Sequence, residues 1–220
     1  MNATRLLLQG DLVGSSVAWT LLLMSVASWT VMAWKTWLLQ RGAASAQRAV
    51  AAFWQAPNWE RALQTVPMFD RENLVMPLVL AVQVDVRGTL AGSAQHAQQL
   101  TRALREALHG VLARLQRGQV LLATVASTAP FVGLLGTVWG IYHALVGLTG
   151  QAQIGLEQVS GPVGEALVMT AAGLMVAIPA VLGYNVLGRA LGRIEVDLEG
   201  FAFDLRALLS EPCATEPRSL

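Results

Sequence analysis

Four side chains able to take part in proton chemistry lie inside long apolar stretches of this chain: Thr137, His143, Glu165 and Thr170. A carboxylate within a membrane span is costly, about 2.5–3.5 kcal/mol at the centre on insertion scales for Asp, and tends to face a cavity or a partner. Glu165 stands about four residues into its stretch, roughly 6 Å along a helix from Gly161. It either lines an outer mouth or snorkels toward the interface, and the spacing leaves both open. A threonine hydroxyl in a span often bonds the carbonyl four residues back and does nothing more. Thr137 and Thr170 are set apart because each lies on a face of small residues. His143 ionises near physiological pH, but its neighbours fit a packing or hydrogen-bonding role better.

The small faces are explicit. Gly133, Thr137, Gly140, Ala144 and Gly147 recur every three or four residues, and so do Ala166, Thr170, Gly173, Ala177 and Ala180. Small residues let helix backbones approach closely in lipid, where hydrophobicity cannot drive association. Both stretches therefore read as transmembrane helices built to pack on helices. Counted from the outer ends at Thr149 and Gly161, Thr137 and Thr170 lie roughly 18 and 14 Å deep, so hydroxyls could form a ring at one level of a pore. Pro130 and Pro179 interrupt the backbone ladder, a loss that helix packing absorbs; the modest reading is a kink that shapes the bundle.

The elements that must position these residues follow from charge and hydropathy. The chain is 54% hydrophobic and 13% charged, which points to a membrane protein. A net charge of +1 argues against a nucleic-acid partner. The single cysteine, Cys213, excludes an intrachain disulfide, and His96, His109 and His143 form no metal-ligand pattern. No phosphate-cradling glycine loop or nucleophile elbow is present, so no catalytic residue, cofactor or metal is assigned, and an enzyme is not expected. Residues 1–16 form an outer N-terminal segment, and 17–39 a first transmembrane helix. Trp19, Trp29, Trp34 and Trp37 act as interfacial anchors there, and Lys35 and Arg41 as the stop signal.

Residues 40–118 form a cytoplasmic helical region broken at Pro57, Pro67 and Pro77; its stretch 94–116 carries an apolar stripe at positions 100, 104, 108, 111 and 115. That helix is expected to run on into the second span, 119–149. An outer loop covers 150–160, the third span 161–187, and a cytoplasmic helix and tail 188–220. In that last part Leu191, Ile194, Leu198, Phe201, Leu205 and Leu208 keep helical spacing. Nine arginines lie in 41–117 and none between the second and third spans. The positive-inside rule then puts the N-terminus outside and the soluble region and the C-terminus in the cytoplasm.

The runs A-P-F-V-G-L-L-G-T-V-W-G-I and G-E-A-L-V-M-T-A-A-G-L-M-V-A-I-P-A-V-L-G-Y-N resemble the ExbB/TolQ proton-channel proteins, more distantly MotA, with wording closest to the ExbB branch. The match covers roughly residues 119–189; the first span and soluble region agree in layout only. The resemblance implies an all-α membrane protein of three transmembrane helices, the second and third extending into the cytoplasm. It further implies a homopentameric bundle around a central pore. In that pore would sit the single transmembrane helix of an ExbD-like partner bearing an aspartate, the complex using proton-motive force to energise a TonB-like protein and outer-membrane uptake. The family's polar positions fall on Thr137, Glu165 and Thr170, and Gly133, Gly140, Gly173, Pro130 and Pro179 serve helix packing and kinks. A Tol-Pal subunit of the TolQ kind, or a non-conducting membrane scaffold, is the alternative.

One negative observation is independent of the resemblance. With Lys35 counted as the stop signal and Glu165 near the rim, no Asp, Glu, Lys or Arg lies deep in any span. Proton relays in membranes need titratable groups, so a conducting chain of this kind takes its deep protonatable group from a partner.

Overall fold

The computed structural model of the chain describes residues 12–83, 96–148 and 156–210. Among these, six helices follow one another: α1 (Leu12–Trp54), α2 (Trp59–Phe69), α3 (Met76–Ala81), α4 (His96–Gln116), α5 (Gln119–Val146) and α6 (Leu156–Ser210), with no strand. Expectations for the first eleven residues, most of the outer loop and the tail that carries Cys213 lie outside the described residues. Three helices, α1, α5 and α6, are long and apolar enough to cross a membrane. The fold is that of an all-α membrane protein.

The contacts divide the chain into two units. One holds the residues up to Lys35 and Gly118–Gly188; the other holds Thr36–Arg117 and the residues from Arg189 onward. In the first unit, Val17 and Leu21 of α1 meet Val125 and Ala129 of α5 and Ala177 and Ala180 of α6 in one core. Yet only 17–33% of each apolar window is buried by the chain itself. Phe131, Leu135 and Val138 of α5 and Leu174, Met175 and Ile178 of α6 all face outward. An apolar exterior of this extent suits lipid or further helices rather than water.

Two expectations are corrected in this unit. The helix read as continuous from the soluble region into the second span is broken at Gly118, whose φ of +87° is left-handed. Such a φ suits glycine because it has no Cβ to clash. A Cβ there would also stand 3.1 Å from Val31 Cγ1, so the bare backbone lets α5 begin close against α1. That approach explains the second correction. Lys35, read as part of the stop signal at the end of the first span, is wholly buried, its Cε 3.4 Å from where that Cβ would be. The four tryptophans of α1 at positions 19, 29, 34 and 37, 49–62% exposed, do lie outward, as membrane-interface residues should.

The second unit is stapled by apolar stripes and one carboxylate. Leu100, Leu104, Leu108, Val111 and Leu115 of α4 are buried as their spacing required, and so are Leu191, Ile194, Leu198, Phe201 and Leu205 of α6. Leu208, in the last turn of α6, is exposed and departs from the stripe. Phe53 packs edge-on against Phe201 at 5.2 Å and against Trp59 at 5.7 Å, joining α1, α2 and α6. Pro57 stands between α1 and α2 and Pro77 in the first turn of α3, but Pro67 lies inside α2. The break falls three residues later, at Asp70. Its buried carboxylate accepts the N–H groups of Leu74, Val75 and Met76 at 2.9, 2.9 and 2.7 Å, capping the start of α3 while turning the chain out of α2.

Candidate functional site in the membrane unit

Helices α5 and α6 touch backbone to backbone, and glycine is the reason. A Cβ on Gly133 would lie 2.7 Å from the Met169 carbonyl oxygen and 3.1 Å from Gly173 Cα. One on Gly173 would lie 2.7 Å from the Ala129 carbonyl oxygen and 3.0 Å from Gly133 Cα. Neither position has room for any other residue. Two turns further along α5, a Cβ on Gly140 would be 2.8 Å from Ala166 Cβ. The small faces seen in the sequence therefore close on each other within one chain. Gly136 is a further contact, its Cβ position 2.9 Å from Met169 Cβ and 3.0 Å from Val17 Cγ1. The sequence reading passed over it in favour of Thr137, although it stands three residues after Gly133 and four before Gly140.

This close crossing brings Thr137 and Thr170 together. Their hydroxyl oxygens are 2.9 Å apart. Thr137, 5% exposed, also reaches the Leu134 carbonyl at 2.7 Å and the Gly133 carbonyl at 3.4 Å. Thr170 is half-buried and approaches the Gly133 carbonyl at 3.5 Å. Six other threonines, at positions 20, 30, 65, 101, 124 and 128, donate to the carbonyl four residues back at 2.7–2.8 Å. Thr170 instead turns its hydroxyl across the helix gap.

Glu165 is exposed and, among the described residues, neither hydrogen-bonded nor ion-paired. It stands on α6 five residues before Thr170 and is not drawn into the hydroxyl pair. Pro130 and Pro179 lie inside α5 and α6, which continue through both. Pro130 has no N–H to give the Ala126 carbonyl, and it comes one turn before the Gly133 crossing. His143 lies tilted against Trp139 at 4.8 Å and meets Tyr142 edge-on at 5.5 Å, an aromatic group near the C-terminal end of α5. Among the described residues no three His, Cys, Asp or Glu side chains stand close enough to hold a metal ion. The arrangement offers hydroxyl and carbonyl oxygens at a close helix crossing, suited to hydrogen bonding rather than to proton storage.

Residues 76–200 match the family model described as the MotA/TolQ/ExbB proton channel family. A biopolymer transport protein ExbB of Xanthomonas campestris pv. campestris is 42% identical over 86% of this chain and 80% of its own length. An ExbB of Neisseria meningitidis serogroup A is 35% identical over 95% of this chain and 97% of its own. A Tol-Pal system protein TolQ of Haemophilus influenzae is 29% identical over 95% and 94%.

Proposed function

The chain belongs to the MotA/TolQ/ExbB proton channel family, and from that premise we propose that it is the pore-forming subunit of a proton-driven inner-membrane motor. A single-span, ExbD-like partner brings an intramembrane aspartate into a pore built by a ring of these chains, a pentamer on the family pattern. Proton passage through that aspartate energises a TonB-like protein and through it outer-membrane uptake. Thr137 and Thr170 supply hydroxyls at the aspartate's level, and Glu165 draws cations at the outer mouth. The function is transport, and no catalytic role is assigned to any side chain.

The observation that carries the reading is the hydroxyl pair, 2.9 Å across a crossing that only glycine permits, in spans that lack a deep carboxylate of their own. The outward apolar surface of α5 and α6 supports assembly with further helices. Over comparable coverage the chain is 35% identical to the Neisseria ExbB and 29% to the Haemophilus TolQ, which favours the uptake role over the Tol-Pal one.

Receptor-driven uptake in cells carrying the partner genes is the test. Replacing both threonines by valine keeps Cβ branching and removes both hydroxyls. Uptake then falls to background while the oligomer keeps its size in mild detergent. Full uptake in that variant would leave only a scaffold role.

A further inference from the structure

We propose that the acidic segment 211–217 of this chain folds back along α6 and docks in the groove between α4 and the end of α6, with Glu216 meeting the arginines there. The proposal is independent of the pore reading, because the groove lies wholly within the second unit.

The buried stripe of α4 leaves an open trough beside α6. Leu104 and Leu108 floor a cavity of about 230 Å³ there, and Phe203 of α6, 67% exposed, forms a wall. That ring is left in water, where covering it is favourable. Arg105 and His109 of α4 and Arg206 of α6 also line the groove, against the one carboxylate of Glu199. All four are exposed, and among the described residues none of them makes a hydrogen bond or an ion pair. Two guanidinium groups over an apolar floor, facing a single carboxylate, suit an acidic occupant with apolar parts. The volume is below the roughly 300–1,000 Å³ of small-molecule pockets, so a few side chains of an extended peptide fit it better than a whole ligand.

The chain carries such a segment next to the groove. Glu211 and Glu216 follow the end of α6 and precede the one arginine of that stretch, Arg218. Pro212 and Pro217 disfavour further helix, which leaves the segment to extended backbone. Glu216 is six residues beyond Ser210 and reaches about 20 Å when extended. Arg206 is four residues back from Ser210 along α6, roughly 6 Å, and Glu199 eleven back, roughly 16 Å. The whole length of the groove is therefore within reach of Glu216. Docking there pairs its carboxylate with Arg105 or Arg206 and lays the intervening Pro212 and Ala214 toward the Phe203 ring.

The single cysteine, Cys213, is a built-in probe. The test oxidises the full chain, reconstituted in lipid, after Thr101→Cys has placed a second thiol on the α4 side of the groove. A disulfide forms only when the two Cα atoms come within about 7 Å. Peptide mass mapping follows the rate of the intrachain bond, and a non-reducing gel detects bonds between chains. Asp204→Cys is the control: it is exposed, closer to Cys213 along the chain, and outside the groove lining. The expected result is an intrachain bond forming about tenfold faster with Thr101→Cys than with Asp204→Cys. Glu216→Gln or Arg105→Gln slows it about two- to fivefold, the range of an exposed ion pair. Equal rates at the two positions overturn the proposal, since the segment would then prefer no face of α6. A disulfide-linked dimer as the main product also overturns it, by putting a neighbouring copy's segment in the groove. An unchanged rate in both charge variants overturns the pairing of Glu216 with the arginines.

Discussion

Thr170 departs from what a threonine in a helix ordinarily does, which is to bond the carbonyl one turn back. The sequence placed Thr137 and Thr170 on small faces at similar depth; the default back-bond was an equally open reading for both. What separates them is the backbone approach at Gly133 and Gly173, a tertiary fact that periodicity does not carry. Asp70 is a second case. In the sequence it is one acid among five in an arginine-rich region, and nothing marks it. In the fold its carboxylate holds three backbone N–H groups while buried. Asp70→Ala leaves those donors without an acceptor and is expected to lower the stability of the second unit by about 2–3 kcal/mol. Asp70→Asn, which keeps one acceptor oxygen, recovers part of this. Thermal unfolding in detergent, followed by circular dichroism, measures both. An unchanged midpoint for the alanine variant would show that solvent satisfies that turn.

At the scale of elements, three spans, the α4 stripe and most of the α6 stripe were legible, because burial on one helix face imposes a period that sequence displays. Boundaries were not. Gly118 looked too weak to end a helix, yet its left-handed φ separates α4 from α5. Pro67 looked like a break, yet α2 runs two residues past it. The small faces showed that close packing occurs without showing with what. Gly140 faces Ala166 of the same chain, so Gly140→Leu acts first on the α5–α6 pair and only then on assembly. A matched pair of glycine variants separates these effects. Gly173→Ala puts a Cβ 2.7 Å from the Ala129 carbonyl and is expected to cost about 1–3 kcal/mol as overpacking, with the hydroxyl pair lost. Gly188→Ala meets nothing within 4 Å and gains about 0.5–1 kcal/mol of helix propensity. Melting temperatures in one detergent compare them, and equal shifts would show that the α5–α6 crossing yields.

At the scale of the whole molecule, charge placement predicts an orientation and leaves the spans without a deep acid of their own. A periplasm-active reporter is expected to be active after Gln151 and silent after Arg71 or Ser210; the reverse pattern would invert the membrane orientation and the direction of proton entry. Lys35 was legible as a charge near the end of a span and not as a buried one, since its burial depends on Gly118 far along the chain. The central claim is that this chain lines a pore and lacks the group that carries the proton. Proton flux into liposomes under an imposed gradient tests it most directly. The chain alone should be nearly proton-tight, and flux should appear when the single-span partner is co-reconstituted and vanish when the partner's intramembrane aspartate is changed to asparagine. Equal flux from the chain alone and from the complex would contradict the account.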